Sequence, residues 1–466
     1  MARMAGLMSH GSSRMFRWSL LLTVSLALLG ACKSARFWEK KEAAPKVAKP
    51  PPPPPPSFDE LYAPYKAGRV AEALKAMRAA SKVSPAAKAL VALTENRLSA
   101  VLAGKLPKDA DALRYRARAA WRAGDGDALI WAVQKLALAK ASDVELDAMA
   151  ALAKQARGHW LRQGRGEVAA PTAFDARGRV PIVDVDIGGE KLRFVLDTGA
   201  EISLLDERLA AKLKVVRPPA PAPTGAGSVE APPEAPALAL VDRLVALGAT
   251  IESVPVLMVP SSALPPGARV SGVLAAQDLF GEAVLTIDYG AGQIVRSRDT
   301  SADGWPLVLV DGRAILAIEG ALDGGETGLF RVETGQKRSV LSAEYVDGAI
   351  AKGAPWNVLT PRKGGRSLVA ALFCPSALLG CLEIKDAAID AAPSDVTRVA
   401  YIGRLGGDAF AGKRIVFDYA AGRLRASGLV VAPPPPPPPP PAAAPASATP
   451  EAAGAPAPAT PAAPAP

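Results

Sequence analysis

Hydrophobic residues along this chain follow two main patterns. From residue 58 to about residue 165, Leu, Val and Trp recur at helical spacing in an alanine-rich background, with Gly or Pro breaks between the helices. From residue 170 to about residue 430, short β-prone runs and alternating segments are separated by turn residues. The chain is therefore predicted to be a multidomain α and β protein, with an α-hairpin region followed by a mainly-β region.

Two segments of the helical region look like the turn and second helix of a hairpin. Residues 65–74 carry Gly68 at the turn, and residues 121–129 carry Gly124. These segments resemble tetratricopeptide hairpins, although the two glycines are 56 positions apart and the family's usual period is about 34 residues. We predict a loosely tetratricopeptide-like array of about three helix pairs over residues 58–165.

The mainly-β region contains an acidic residue, Asp197, in a tight turn between two apolar segments. Residues 180–194 alternate and turn on Gly-Gly, as a β-hairpin does. The following run brings Asp197 into a tight Asp-Thr-Gly turn, after which the chain is apolar again as far as Leu205. A carboxylate on a sharp loop between buried segments indicates function more than packing. An ordinary hairpin with a surface Asp is the alternative.

The segment Phe194-Val-Leu-Asp-Thr-Gly-Ala-Glu-Ile-Ser-Leu-Leu205 resembles the active-site loop of retropepsin-like aspartic proteases. Residues 272–280 and 284–292 resemble the closing segment of the same domain, so the resemblance spans about residues 178–297. It implies an acid-protease-like lobe at residues 170–300, with Asp197, Thr198 and Gly199 in the catalytic loop.

The closing segment recurs. Five of its residues reappear at an offset of 130 positions, namely Asp278, Phe280, Asp288, Tyr289 and Gly292 as Asp408, Phe410, Asp418, Tyr419 and Gly422. The catalytic loop recurs at residues 329–341 as Glu333-Thr334-Gly335, with Glu in place of Asp. A second, degenerate lobe is therefore predicted at residues 301–430, so that one chain supplies both loops, like a fused dimer.

The resemblance implies a pair of carboxylates that share one proton, one to deprotonate a water and one to protonate the peptide carbonyl. Glu333 would face Asp197, but its extra methylene displaces the carboxylate by about 1 Å, which can cost about a hundredfold in a positioned site. Three alternatives follow: a slow peptidase with a mixed pair, a pseudoprotease that binds peptides, or an association in which Asp197 meets the Asp197 of a second copy. In the first case Glu333→Asp is expected to raise the rate.

Two parts of the resemblance are open. Gly225, Ala226 and Gly227 resemble the glycine-rich tip of the flap that closes over substrate, but the surrounding prolines equally suit a surface loop. Ala275 and Ala276 follow Val-Leu where the family usually has Gly, which leaves the geometry of the floor beneath Asp197 in question.

The remaining chemistry is limited by composition. Cys374 and Cys381 can close a small disulfide loop, because residues at the turn between them include Pro and Gly. The only histidines are His10 and His159, which argues against a His-based metal site or a Ser-His-Asp centre. We predict no metal and no cofactor, and chemistry that runs on carboxylates.

The N-terminus resembles a bacterial lipoprotein signal. Residues 1–31 combine basic residues with a short apolar run, and Leu-Gly-Ala-Cys32 resembles a lipobox, although a chance Cys is the alternative. Lys33 after the cysteine favours delivery to the outer membrane, facing the periplasm.

Two proline-rich segments flank the folded regions. Residues 32–57 contain seven consecutive prolines and are predicted to form a stiff linker, and residues 431–466 are predicted to form a disordered Pro/Ala-rich tail.

Charge adds one further question. The chain carries a net charge of +10, and residues 58–165 hold 19 basic against 11 acidic residues. Solvated helix faces are the favoured explanation, with a basic surface for an acidic partner as the alternative. Nucleic acid is discounted because of the export signal.

Together these patterns predict a lipid-anchored envelope peptidase that acts on extended peptides, with a helical region that can bind a protein partner. A non-catalytic peptide-binding scaffold is the alternative.

Overall fold

The computed structural model describes most of the chain between residues 54 and 429. The signal with Cys32, nearly all of the proline linker, the flap candidates Gly225, Ala226 and Gly227, and the Pro/Ala tail lie outside the described residues. The described ranges are 54–80, 82–104, 108–156, 171–175, 178–216, 237–265, 269–280, 283–298, 300, 303–323, 325–360, 365–369, 371–376, 380–384, 387–390 and 399–429.

The described N-terminal region is helical, and both predicted hairpin turns are present. Gly68 lies between the first two helices, and Gly124 ends the fifth in a left-handed conformation (φ 72°), which favours glycine. A tetratricopeptide relationship stays a prediction. No helix in the described residues is both long and apolar enough to span a membrane. The helices are α1 (Phe58–Lys66), α2 (Val70–Ala79), α3 (Pro85–Thr94), α4 (Leu98–Leu102), α5 (Ala110–Ala123), α6 (Gly126–Leu138) and α7 (Val144–Gln155).

The first lobe contains a closed six-stranded barrel in the order β2-β3-β7-β4-β6-β5. The predicted hairpin joins β2 to β3 through Gly188 and Gly189, both at positive φ. The elements are β1 (Thr172–Ala173), β2 (Ile182–Ile187), β3 (Glu190–Asp197), β4 (Ser203–Asp206), β5 (Ala237–Ala246), β6 (Ala249–Val259), β7 (Gly272–Ala275), α8 (Gln277–Phe280), β8 (Val284–Asp288) and β9 (Gln293–Ser297), with 3₁₀ turns at Glu207–Leu209 and Ser261–Ala263.

The second lobe repeats this strand order. Its elements are β10 (Trp305–Pro306), β11 (Val308–Leu309), a 3₁₀ turn at Val310–Gly312, β12 (Leu316–Leu322), β13 (Gly328–Val332), β14 (Val340–Ser342), α9 (Ala343–Ala351), β15 (Asn357–Leu359), β16 (Arg366–Val369), β17 (Ala371–Ser376), β18 (Gly380–Ile384), β19 (Ala387–Asp390), β20 (Gly403–Leu405), β21 (Arg414–Asp418) and β22 (Arg423–Ala426). The path β12-β13-β20-β14-β19-β16 matches the order of the first barrel, strand for strand, in pairing and in direction. The duplication seen in the sequence is thus a duplication of topology.

The two recurring closing segments pair with each other. Strands β8 and β21 are antiparallel neighbours in a six-stranded sheet, β1-β9-β8-β21-β22-β10, which joins the lobes. Asp288 and Asp418 repeat one turn, since each accepts a backbone N–H from three residues ahead at 2.8 Å. The repeated residues therefore build the joint between the lobes.

The helical region packs against both lobes. Tyr62 Oη donates to Asp311 Oδ1 (3.0 Å), and the Asp311 N–H donates to Tyr65 Oη (3.0 Å). One apolar cluster joins α1–α5 to Val310 and Leu329 of the second lobe, and another joins α5–α7 to β5 of the first. These shared cores fix the helices relative to the cleft described below.

The predicted cysteine pair lies in the second lobe. Cys374 on β17 and Cys381 on β18 form a disulfide with an S–S distance of 2.09 Å and a Cα–Cα distance of 4.3 Å. The bond links adjacent antiparallel strands at the edge of the sheet.

Candidate active site

Two tight turns, one from each lobe, interlock through their threonines. The Thr198 N–H donates to Thr334 Oγ1 (3.0 Å), and the Thr198 hydroxyl donates to the Val332 carbonyl (2.8 Å). The reciprocal bonds run from the Thr334 N–H to Thr198 Oγ1 (3.3 Å) and from the Thr334 hydroxyl to the Leu196 carbonyl (3.0 Å). Both side chains are buried, so the four bonds hold the two predicted loops in a fixed, nearly symmetric relation.

The glycine of each turn lies against the acidic side chain of the other. A Cβ on Gly199 would lie 2.5 Å from Glu333 Cγ, and one on Gly335 would lie 2.6 Å from Asp197 Cγ. The backbone N–H groups of both glycines donate to Asp197 Oδ1, at 2.9 and 3.1 Å. Only glycine fits here, because each acidic side chain crosses over the opposite turn. Since the Glu333 turn fills the place beside Asp197, the structure leaves no room there for the Asp197 of a second copy.

The two alanines in the floor do not disturb it. Strand β7 runs parallel to β3 with Ala275 opposite Asp197, and the Ala276 N–H donates to the Asp197 carbonyl at 2.9 Å. Both alanines are fully buried. The floor under Asp197 is therefore regular, despite the departure from the family's usual glycine.

A buried serine and aspartate brace each turn from behind. Ser203 Oγ donates to Asp278 Oδ2 at 2.9 Å, and Ser339 Oγ donates to Asp408 Oδ1 at 2.6 Å. Each hydroxyl also accepts a backbone N–H at 3.0 Å, from Ala275 at the end of β7 in the first lobe and from Gly406 just after β20 in the second. The recurrence of Asp278 as Asp408 thus preserves a positioning contact.

The Glu333 carboxylate is buried between two arginines. Arg331 Nε lies 2.9 Å from Oε1, and Arg404 Nη1 lies 3.7 Å from Oε2. Arg331 Nη2 also donates to the Gly199 carbonyl at 3.2 Å, so this arginine bridges the two turns. Adjacent positive charges favour the ionised form of a carboxylate. Glu333 therefore lies in a different electrostatic environment from Asp197.

Asp197 is shifted toward its protonated form. Burial raises the pKa of Asp197, while the N–H bonds from Gly199 and Gly335 and the positive charge of Arg331 oppose the shift without cancelling it. Both N–H bonds go to Oδ1, and no described N–H donates to Oδ2. The two carboxyl groups thus lie in unlike surroundings, since only Glu333 is placed between two arginines.

Sequence reasoning missed both arginines, although a signal was present. In the structure Arg331 takes the place of Val195 and Arg404 takes that of Val273, although the 130-position offset of the closing segments aligns Arg404 with Leu274. The valines are paired across β3 and β7, and the arginines are paired across β13 and β20. Comparing the two lobes by their strand pairing shows that the change to Glu333 comes with two arginines that lie beside it.

A cleft of about 800 Å³ contains both carboxylate side chains and has three unlike walls. The first lobe supplies an apolar wall, the second a charged wall, and α7 a third wall. The main contributors are Val195, Leu204, Leu257 and Val273 from the first lobe; Arg313, Arg331, Gln336 and Arg404 from the second; and Val144, Glu145, Ala148 and Met149 from α7.

A buried arginine connects α7 to the segment that follows the Asp197 turn. Arg313 Nη1 donates to Glu145 Oε1 and to Glu201 Oε2, each at 2.7 Å, and its side chain is 6% exposed. Glu145 lies on α7, and Glu201 lies four residues after Asp197. The helical region therefore forms part of the cleft, which no pattern within that region alone indicates.

Comparison with known proteins bears on the first lobe. Residues 183–276, from β2 to the floor beneath Asp197, match the family model described as aspartyl protease. The chain carries an aspartyl protease-like domain. No curated protein matches the chain. Among solved structures, the crystal structure of basic 7S globulin from soybean aligns over 56% of this chain and 94% of that chain, with 9% identity and a TM-score of 0.36.

Proposed function

We propose that the chain is an aspartic-type endopeptidase in which Asp197 and Glu333 activate a water for peptide-bond hydrolysis. The observation that carries the proposal is the reciprocal Thr198/Thr334 lock, which brings one carboxylate from each lobe into a single cleft. The family match over residues 183–276 supports the same chemistry for the Asp197 side.

The surroundings of the two carboxyl groups suggest which of them acts as the general acid and which as the general base. Burial favours the proton on Asp197, and the two arginines favour ionised Glu333, so the pair holds one proton. Glu333 takes a proton from water as its hydroxide bonds to the carbonyl carbon, and Asp197 donates to the carbonyl oxygen. As the C–N bond breaks, protonated Glu333 gives its proton to the leaving nitrogen and ionised Asp197 takes a proton from a hydroxyl of the tetrahedral intermediate, which returns the pair to its starting state. The scheme needs no metal or cofactor.

The first prediction is a peptidase active at mildly acidic pH. Purified chain should cleave a peptide library at weakly acidic pH and lose activity as the pH rises through the pKa of Asp197, because the deprotonated side chain cannot donate. Burial raises that pKa, so activity should persist to higher pH than an exposed aspartic acid would allow. Mass spectrometry of the products across the pH range is the measurement. Peptide binding without cleavage at any pH from acid to neutral would instead indicate a binding scaffold.

The second prediction concerns Arg331. Its positive charge lowers the pKa of Asp197, so Arg331→Gln should raise that pKa and move the alkaline limb of the activity profile to higher pH. The matched control is Arg404→Gln, which removes an arginine from the same wall whose charge is not among the causes of the Asp197 shift. The proposed position of the proton would be contradicted if the alkaline limb moved equally in both variants. It would also be contradicted if the limb moved to lower pH in Arg331→Gln.

We also propose, from sequence alone, that the mature chain is anchored in the outer membrane through a lipid on Cys32. The support is the apolar signal run followed by Leu-Gly-Ala-Cys32. Metabolic labelling with a fatty acid should mark the wild-type chain and leave Cys32→Ser unlabelled. Equal labelling of both would refute the anchor. A protein partner for the helical region remains part of the proposal.

A further inference from the structure

The two lobes present unlike surfaces at corresponding places beside the catalytic pair. In the first lobe, Val195 and Val273 pair across the floor strands and belong to an apolar cluster with Leu204 and Leu257 at its edge. All four side chains line the cleft. These four side chains carry no charge, and the surface they form suits an aliphatic side chain.

The corresponding side of the second lobe presents a guanidinium with unused donors. Arg404 replaces Val273, and its side chain is 25% exposed. Its Nη1 is 3.7 Å from the nearest oxygen of Glu333, which is too long for a hydrogen bond, and its Nε is buried without an acceptor. Within the described residues, no group accepts a hydrogen bond from this guanidinium. A guanidinium can donate two parallel N–H bonds to a carboxylate, so Arg404 can bind a carboxylate of a ligand.

The local charge balance favours the same ligand. Three arginines line the cleft: Arg313 is paired with Glu145 and Glu201, and Arg331 and Arg404 lie on either side of the Glu333 carboxylate. Arg331 is already engaged with both Glu333 and the Gly199 carbonyl. Arg404 is therefore the arginine of the cleft whose charge is least closely paired, and it lies in a partly desolvated site where electrostatic attraction is strengthened.

We propose that the cleft selects peptides with an aliphatic side chain on one side of the cleaved bond and a carboxylate on the other, bound by Arg404. The inference rests on the proposed peptidase function and names its substrate class. The carboxylate can come from an internal Asp or Glu or from the C-terminus of the peptide. In either case Arg404 is a specificity-determining residue, since it binds a group of the substrate away from the reacting atoms.

The experiment measures binding separately from cleavage. Fluorescent peptides of one sequence, with Glu, Gln or Leu at a single position beside a Leu, are titrated against full-length Asp197→Asn by fluorescence anisotropy. A second set ends in a free acid or an amide at that position. The Glu peptide should bind about tenfold tighter than the Gln peptide, which is the usual scale of a charge-assisted contact. A preference confined to the free-acid set would assign the carboxylate to the peptide C-terminus.

The decisive variant gives the second lobe the residue found in the first. Arg404→Val in the Asp197→Asn background should abolish the preference for Glu over Gln and favour the Leu peptide, while Arg404→Lys should keep a reduced preference for Glu. The control is Arg414→Val, which removes an exposed arginine from β21, outside the cleft, and should leave the preference unchanged. Circular dichroism establishes that each variant is folded.

The possible outcomes separate this inference from the peptidase proposal. Equal binding of the Glu and Gln peptides, no binding of any peptide, or a preference that survives Arg404→Val would overturn the inference. Cleavage by the wild type without any such preference would also overturn it, yet leave the peptidase intact. A preference that depends on Arg404 in a wild type that cleaves nothing would support the inference and refute the peptidase.

Discussion

Asp197→Asn should lower peptide cleavage by a factor on the order of 10³ to 10⁴, the upper range for loss of a general acid. The asparagine oxygen can still accept the two N–H bonds from Gly199 and Gly335, so the turn should keep its shape. The amide cannot transfer a proton to the substrate carbonyl. The kcat for one defined peptide should therefore collapse, while KM for that peptide changes little.

The control for this prediction is Asp288→Asn. Asp288 lies in the same lobe and also accepts two backbone N–H bonds in a turn, from Gly290 and Ala291, but it lies outside the cleft. This variant should retain the wild-type kcat. If Asp197→Asn kept more than a tenth of the activity, another group would have to be the acid, and the assignment of Asp197 would be wrong.

The two Thr-Gly turns that carry Asp197 and Glu333 could be predicted from sequence because the signal is local. Three residues fix each turn, since the glycine must leave space for the opposite acidic side chain and the threonine must reach across to the other turn. The recurrence of the closing segment indicated a second loop upstream of it, and Glu333-Thr334-Gly335 lies there, 136 positions after the first loop and not at the 130-position offset of the closing segments. The structure brings both turns together as the sequence predicts.

The third wall of the cleft could not be predicted in this way. Arg313 contacts Glu145 and Glu201, which lie 168 and 112 positions away in the chain, and no spacing rule connects them. The helical pattern identified α7 as a helix but not the surface that it faces. Hydrophobic periodicity identifies the buried face of a helix, but Val144 is 88% exposed although it lines the cleft. Periodicity therefore could not assign it to the cleft.

The departure from the family pattern at Ala275 and Ala276, beneath Asp197, matters less than the sequence suggests. Ala275 and Ala276 accommodate the ladder to β3 because their methyl groups are small and buried. The glycine that the floor does require is Gly272, where a Cβ would lie 2.2 Å from the Leu204 carbonyl oxygen. Its counterpart Gly403 is similarly close to the Val340 carbonyl (2.9 Å).

The structure also reverses the expected effect of Glu333→Asp. Shortening the side chain was expected to raise the rate by letting the two turns meet symmetrically. The turns already meet symmetrically with Glu in place, and the longer side chain brings its carboxylate to Arg331 and Arg404. We now expect kcat to fall about a hundredfold, because a displacement of about 1 Å removes the carboxylate from the position in which its surroundings stabilise it.

The paired variant Glu333→Gln tests the charge at constant length. It keeps the shape but leaves two partly buried guanidiniums without a counter-charge, so we expect a loss of up to about 10⁴ in kcat together with a lower melting temperature. Glu326→Asp, which shortens a surface glutamate paired with Lys352, should change neither quantity. A rate that rises in Glu333→Asp would show that Glu333 impairs a pair better suited to two aspartates. A fall in both Glu333 variants, with Glu326→Asp unchanged, would show that the second lobe has been rebuilt around a glutamate and its arginines.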